Sequence, residues 1–279
     1  MRVCYTSDLH GSERHYAELG GLLRAERADL VVLGGDLVRD FDRSLPIGPQ
    51  VMAARDALLA CVDAWRAGHP ELRVACVGGN HEIAAMRVAF RPFHHAGRLT
   101  LLDHRKAWRC GGLTWLGYSC TPPSPHWAKD YERLDRRDDP IPNFPGQVWD
   151  PETDALRDVD LVEHFRGRAS IEEELSAAPR LDEPWVLVAH SPPYGTRLDR
   201  LPHIAEPLGS RAIRHLIEVG RPVLSLHGHL HESPELTGTY RDRVGEATCV
   251  NPGQGMDRLH AVCFDTTDPV GTLRHTVLS

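Results

Sequence analysis

An α/β fold built on buried parallel strands is predicted by three features of this 279-residue chain. Five apolar runs, at 3–5, 30–33, 74–77, 185–189 and 223–226, are too short for helices and stop at Gly or polar turns. Runs of that kind read as strands covered on both faces. Stretches with helical spacing lie between several of them, and strand–helix alternation favours right-handed crossovers onto a parallel sheet. Finally, each run leads into Asp, Asn or His, and ligands of open α/β sheets gather at the carboxyl ends of the strands.

The elements follow in order. After the first run, a helix over 13–26 is predicted from Leu19, Leu22 and Leu23. The second run precedes a helix over 49–67, with Val51, Ala54, Leu58, Leu59, Val62 and Trp65 on one face. From 99 to 117, short runs broken by Asp103-His104 and Gly111-Gly112 suggest antiparallel strands. Residues 119–180 stand apart, punctuated by seven prolines from Pro122 to Pro151 with Trp127, Tyr131, Phe144 and Trp149 between them. So long a segment is expected to be a cap or lid beside the site, or a surface excursion with local aromatic packing. Within it, Ser170 and Glu173 fit a capping box at a helix start. The chain then returns to β-α-β, with a helix over 209–219, and ends in β-like runs at 246–250, 259–264 and 272–278. The whole is expected to be one domain, 1–279, with 119–180 inserted in it.

Composition narrows the function classes. Net charge is −7, and residues 119–180 hold 14 Asp/Glu against 8 Lys/Arg, so the excess acidity sits there. No basic stripe offers a track for long nucleic acid, and no apolar span of membrane-crossing length exists. The first strand starts beside Met1, leaving no room for a signal peptide. Seven cysteines, none spaced C-x-x-C, are expected to be reduced thiols in a cytoplasmic protein.

The strand ends carry the chemistry. Asp8 and His10 are two apart on extended chain, so their side chains point the same way. Asp36 follows Gly34-Gly35, and a carboxylate can bridge two cations. Asn80 offers a neutral amide oxygen, and His190, His229 and His231 offer imidazoles from two further strand ends. This mixture of N and O donors, without thiolate, suits Mn, Fe, Zn, Co or Ni and disfavours a Ca/Mg-only site. Gly34-Gly35 and Gly78-Gly79 are tight turns that let backbone approach the ions. His227 is assigned a structural role. Arg39, Arg87 and Arg197 are candidate phosphate clamps, with a solvated arginine the commoner reading for each. Tyr194 is a candidate for stacking on a substrate base or aryl group, or part of a rigid loop that positions His190.

D-x-H, G-D, G-N-H-E, a lone strand-end His and G-H-x-H occur in that order, and the set resembles the calcineurin-like binuclear metallophosphoesterase superfamily. The resemblance runs from Asp8 to His231, apart from 119–180. It implies a four-layer α/β/β/α sandwich with two mixed sheets and a Pro-rich insertion. It also implies one metal on Asp8, His10, Asp36 and His231, and a second on Asp36, Asn80, His190 and His229. His81 would be the non-ligand histidine beside the phosphate, and Glu82 the acid that orients it. The blocks 190–195, 227–232 and Asn251-Pro252-Gly253 are similar to small bacterial and archaeal phosphoesterases related to metazoan metallophosphoesterase-domain proteins, some of which hydrolyse cyclic nucleotides. Arg39 stands where the purple acid phosphatases have a tyrosine, so their iron–tyrosinate centre is not expected.

The resulting expectation is a phosphoesterase with two divalent transition metals, Mn first. A hydroxide bridging the ions attacks phosphorus, His81 is the general acid and Asn80, Arg39 and Tyr194 contact substrate. The expected substrate is a phosphodiester or phosphomonoester, with a small nucleotide-type phosphodiester favoured. A single-strand nuclease and a catalytically silent interaction scaffold of the same fold are the alternatives.

Overall fold

The computed structural model describes residues 1–278. The first half runs β1 (Arg2–Thr6), α1 (Glu13–Glu26), β2 (Leu30–Leu33), α2 (Ile47–Gly68), β3 (Arg73–Cys76), α3 (Ala84–His95) and β4 (Thr100–Leu101). A hairpin of β5 (Trp108–Cys110) and β6 (Leu113–Tyr118) follows. The insertion contributes β7 (Gln147–Asp150), β8 (Ala155–Asp158), α4 (Leu161–Arg166) and α5 (Ile171–Leu175). The rest runs β9 (Trp185–Ala189), α6 (Arg211–Gly220), β10 (Leu224–Leu226), α7 (Ser233–Thr237), β11 (Arg241–Val244), β12 (Ala247–Val250), β13 (Leu259–Asp265) and β14 (Arg274–Leu278).

Two six-stranded sheets form, ordered β14-β13-β1-β2-β3-β4 and β11-β12-β10-β9-β6-β5. In the first, β1 to β4 are parallel, while β13 and β14 run antiparallel at one edge. In the second, β6, β9, β10 and β12 are parallel between antiparallel edges. Both sheets are therefore mixed.

The continuous apolar runs have a physical reason in this arrangement. Alternate side chains of a strand point to opposite faces. Cys4, Val31 and Leu33 face the helical layer with Leu19, Leu58, Val62 and Phe90. Their neighbours Val3, Tyr5, Leu30 and Val32 face the second sheet, where Trp115, Val186, Val188 and Leu226 meet them. The outer face of that sheet packs Leu116, Leu187 and Cys249 on Ile171, Ile213 and Ile217. Helix, sheet, sheet and helix are the four layers, as expected.

Local signals account for most boundaries. Ser12, Asp160, Ser170 and Ser210 cap α1, α4, α5 and α6 by accepting first-turn N–H groups, and α5 has the capping box on Ser170 and Glu173. One expectation needs correction. The 99–117 stretch is antiparallel only in the β5–β6 hairpin, because β4 lies parallel to β3 and β6 parallel to β9. Helix α3 has no counterpart in the sequence reading: it lacks a side-chain cap and holds Pro92 inside.

Residues 119–180 join β6 to its parallel neighbour β9, and parallel neighbours need a crossover. This crossover reaches both helical layers. Ala128 joins the α1–α3 core, with Trp127, Trp149 and Leu156 packed against it. Asp135, at the other side, accepts the Arg211 and Ala212 N–H groups and so caps α6.

Candidate metal centre

The carboxyl ends of β1, β2, β3, β9 and β10 converge on one cluster. Asp8 and His10 follow β1, Asp36 follows β2, Asn80 and His81 follow β3, His190 follows β9, and His229 and His231 follow β10. Nitrogen and oxygen atoms of His10, Asp36 and His81 lie within 4.8 Å of one another, as do those of Asp36, His190 and His229. Asp8 accepts the His229 N–H with both carboxylate oxygens, at 3.0 and 3.1 Å. The His231 ring lies 6.0 Å from that of His10, and the His190 ring 5.3 Å from that of His229. Asp36 is the member shared by the two sets.

The backbone here is unusual. Asp8, His10, Asp36 and His229 hold φ of 58°, 44°, 51° and 65°. Left-handed backbone costs a non-glycine residue about 1 kcal/mol or more. Four of seven expected ligands share it, so the loops bend back at the strand ends to aim side chains inward. The glycine turns serve the same end. At Gly35, φ is 102° and an added Cβ would meet the His190 ring, while one at Gly79 would strike Asp36 and His190.

Second contacts hold the loops. Glu82 is buried and accepts the N–H groups of Asp36 (3.0 Å), Leu37 (2.6 Å), Val38 (3.1 Å) and Gly79 (2.7 Å). Burial, then the charge of Asp36, raises its pKa to about 7. Asn251 donates to the Gly228 and Leu230 carbonyls, steadying the His229–His231 loop. His227 is fully buried, its Nδ1 between the Ala189 and Ser191 carbonyls and its Nε2 on the Ser225 hydroxyl, a structural role.

The electrostatics favour a cation among these donors. His190 Nδ1 donates to the Gly34 carbonyl at 2.8 Å, which leaves the lone pair of the neutral ring on Nε2. That atom lies 3.2 Å from Asp36 Oδ2, without an aligned hydrogen bond, and it is buried. Two acceptors facing each other at such a distance repel unless a proton or a cation lies between them. Despite burial, the Asp36 charge raises the His190 pKa to about 9, and Asp36 is held well below the usual carboxylate range by His190 against its own burial. Asn80 Oδ1 is likewise buried with no partner. The His229 pKa falls to about 3 through burial and the neighbouring His190, which keeps its lone pair free. Carboxylate, amide and imidazole donors left unpaired in this way fit divalent transition metals.

His81 stands beside the cluster. Its backbone N–H bonds Asp36 Oδ1 at 2.9 Å, and its Nε2 lies 4.0 Å from Asp36 Oδ2. The expected partner is corrected: Glu82 turns away onto backbone, and Asp40 Oδ1 bonds His81 Nδ1 at 2.7 Å. Burial lowers the His81 pKa, but the Asp40 bond and the Asp36 charge outweigh it and raise the value to about 9. Asp40 and His126 are the residues that sequence reasoning missed. The signal for Asp40 was a second carboxylate four residues past Asp36. His126 comes from the insertion and stacks on His81 with centroids 3.8 Å apart and planes at 27°.

The expected substrate contacts divide. Asn80 follows β3 with its side-chain oxygen buried and unpaired, and Arg39 is exposed next to Asp40 with no salt bridge among the described residues. Tyr194 is corrected: the Arg211 guanidinium lies 4.5 Å over its ring, and its N–H bonds Ser210, so it belongs to the rigid loop behind His190. Arg87 pairs with Asp103 and Arg197 with Asp242, and neither reaches the cluster.

Residues 1–233 match the calcineurin-like phosphoesterase family. No curated protein matches the chain. Among solved structures, it is similar to the TT1561 protein of Thermus thermophilus at 15% identity, with a TM-score of 0.58 over 99% of this chain and 97% of that one. A second solved structure is similar at 15% identity and a TM-score of 0.60, over 100% of this chain and 99% of that one. A novel archaeal phosphodiesterase is similar at 10% identity and a TM-score of 0.48, over the whole of both chains.

Proposed function

Because the chain belongs to the calcineurin-like phosphoesterase family, we propose that it is a binuclear metal-dependent hydrolase of small phosphodiesters, nucleotide-type diesters foremost. Asp8, His10, Asp36 and His231 would hold one ion, and Asp36, Asn80, His190 and His229 the other, with Mn the first choice. Bound there, such ions make water acidic enough to attack phosphorus near neutral pH and offset charge on the phosphoryl oxygens.

The chain's own residues supply the rest. Glu82 fixes the backbone around Asp36, so that carboxylate faces both ligand sets. Asp40 takes Nδ1 of His81, leaving the Nε2 proton for the departing alkoxide. Arg39 offers the exposed cation for a phosphate oxygen. A groove of 340 Å³ lined by Gly11, Arg39, Asp40, Phe41 and Leu58 adjoins the dyad. That volume is within the range of small-molecule sites (roughly 300–1,000 Å³). The observation that carries the reading is the gathering of Asp36, His190 and His229 donor atoms within 4.8 Å of one another, with His190 Nε2 buried 3.2 Å from Asp36 Oδ2 and no aligned hydrogen bond between them.

No helix among the described residues is long and apolar enough to cross a membrane. Seven cysteines without a C-x-x-C spacing, six of them buried, are the ground for placing the protein in the cytoplasm.

The test is a Mn-supplemented panel of bis-p-nitrophenyl phosphate, p-nitrophenyl phosphate, 2′,3′- and 3′,5′-cyclic nucleotides and single-stranded DNA, with metal content by elemental analysis. Diester turnover above monoester turnover with about two metals per chain is expected. Preference for single-stranded DNA would make the protein a nuclease. Metal-free, inactive protein would make it a scaffold.

A further inference from the structure

We propose that His126, carried by the insertion, is a positioning residue that fixes the plane of the His81 ring by stacking on it. The inference rests on His81 being the proton donor of the phosphoesterase reading above.

A single hydrogen bond to Asp40 restrains one edge of the His81 ring and leaves it free to rock about that bond. His10 meets the ring at 74° with centroids 4.7 Å apart, a T-shaped contact. The face of His126, 3.8 Å away, opposes the remaining motion. Aromatic pairs in such contact favour a defined mutual geometry. Nitrogen and oxygen atoms of Asp40, His81 and His126 lie within 4.8 Å of one another, so a third ion is the competing reading. The stack argues against it. Ring lone pairs lie in the ring planes, and two nearly parallel rings direct them past one another rather than to one point. His81 Nδ1 is also engaged by Asp40.

The loop that carries His126 is built around a buried ion pair. Lys129 Nζ donates to Glu132 Oε2 at 2.7 Å, and both side chains are wholly enclosed. The same ammonium donates to the Ser124 and His126 carbonyls, and Ser124 joins the set by donating to Glu132 Oε1 at 2.5 Å and accepting the His126 N–H at 3.2 Å. A buried ion pair is weak ground for stability, since well-packed apolar residues commonly do as well. Here it clamps two carbonyls of a three-residue stretch that ends at the His81 stack. Ordinary rim packing of His126 would need no such clamp.

The experiment compares wild type with His126→Ala, His126→Leu and His126→Phe. In metal-free protein, the NMR signal of the His81 Nδ1–H bonded to Asp40 is expected to be sharp in wild type and His126→Phe and broadened in the Ala and Leu variants. In Mn-loaded protein, kcat on a dialkyl phosphodiester is expected to fall about 10–100-fold in Ala and Leu, with KM within about twofold. The p-nitrophenyl diester, whose leaving group needs little proton donation, should lose about threefold or less, and Phe should restore the alkyl rate. Equal losses on both leaving groups, an unaltered Ala or Leu variant, or failure of Phe to rescue would overturn the proposal. If Ala does not fold, the volume-matched Leu variant decides. Wild type inactive on every phosphoester would sink the hydrolase reading instead, while the metal-free NMR comparison would still decide whether His126 positions His81.

Discussion

The strand-end loops and the insertion bury charge in opposite ways. At the strand ends, Asn80 Oδ1 and His190 Nε2 are enclosed without partners, and four ligand-type residues hold left-handed backbone. In the insertion, Lys129 meets Glu132 and two backbone carbonyls, Arg133 bonds Glu174 and Asp135 caps a helix, while Thr121 Oγ1 and His126 Nε2 are buried without partners. Native proteins pair nearly all buried polar atoms. The contrast teaches that ligand-type residues gathered on left-handed backbone, with unpaired buried donors among them, mark where an ion and chemistry belong. Satisfied buried charge marks architecture that holds something in place.

The largest effect should come from removing the residue shared by both ligand sets. Asp36→Asn keeps the side-chain shape and an oxygen for the His81 N–H but removes the charge facing His190. Activity is expected to fall more than about 10³-fold, with metal content near zero. In metal-free protein the same change removes the charge that raises the His190 pKa to about 9, so the variant should lose the stability that wild type holds below about pH 6.5 and gives up as pH rises through 9. A metal-free variant whose melting temperature kept the wild-type pH dependence would break the comparison, since Asp36 and His190 would then not share a proton. Calorimetry with chelator, beside elemental analysis, makes the measurement.

The insertion should behave in the reverse sense. Lys129→Met leaves Glu132 enclosed without its counter-charge, and about 3–5 kcal/mol of stability should be lost. Adding Glu132→Leu removes the orphaned carboxylate and should recover most of that loss. Metal content should stay at the wild-type level in both variants. Urea denaturation of the single and double variants gives the coupling directly, and loss of metal in either would join the two regions that the comparison separates.

How much of this the sequence disclosed follows the same division. A parallel strand covered on both faces must be apolar throughout, so each strand end was visible where the run stopped, and the residues past it were ligand types. The strand ends that carry Asp8, His10, Asp36, Asn80, His190, His229 and His231 were therefore legible from local pattern. Side-chain direction was not. Glu82 adjoins His81 in sequence, yet it points back at the Asp36 backbone, while Asp40, on another loop, takes the imidazole. His126 is 45 residues from His81 within a Pro-rich stretch of no period, and only tertiary packing brings the rings together. The resemblance covered the four layers but not the crossover, whose order rests on pairings such as Lys129 with Glu132 that leave no repeating signal. Helix α3 escaped for a local reason, Pro92 inside it.

The smallest expected effect separates the regions by pH. His164, on α4, is nearly enclosed and its Nε2 lies 3.2 Å from the Lys129 carbonyl. Burial, then the charge of Arg168, lowers its pKa from 6.5 to about 4. A depressed value means that the folded state resists protonation while the unfolded chain accepts the proton near pH 6.5. The neutral ring's contribution is thus complete above about pH 6.5 and is lost as pH falls towards 4. His164→Gln, which cannot charge, should flatten that part of the stability profile by removing one proton's uptake, whatever its stability at pH 7. Hydrogen exchange at pH 7 and 5 should show the acid-induced loosening at 161–166 in wild type, and little of it there in the variant. Loosening confined to the strand-end loops in both proteins would mean that the insertion's histidine is not the group that responds, and the satisfied region would then be no more acid-sensitive than the rest.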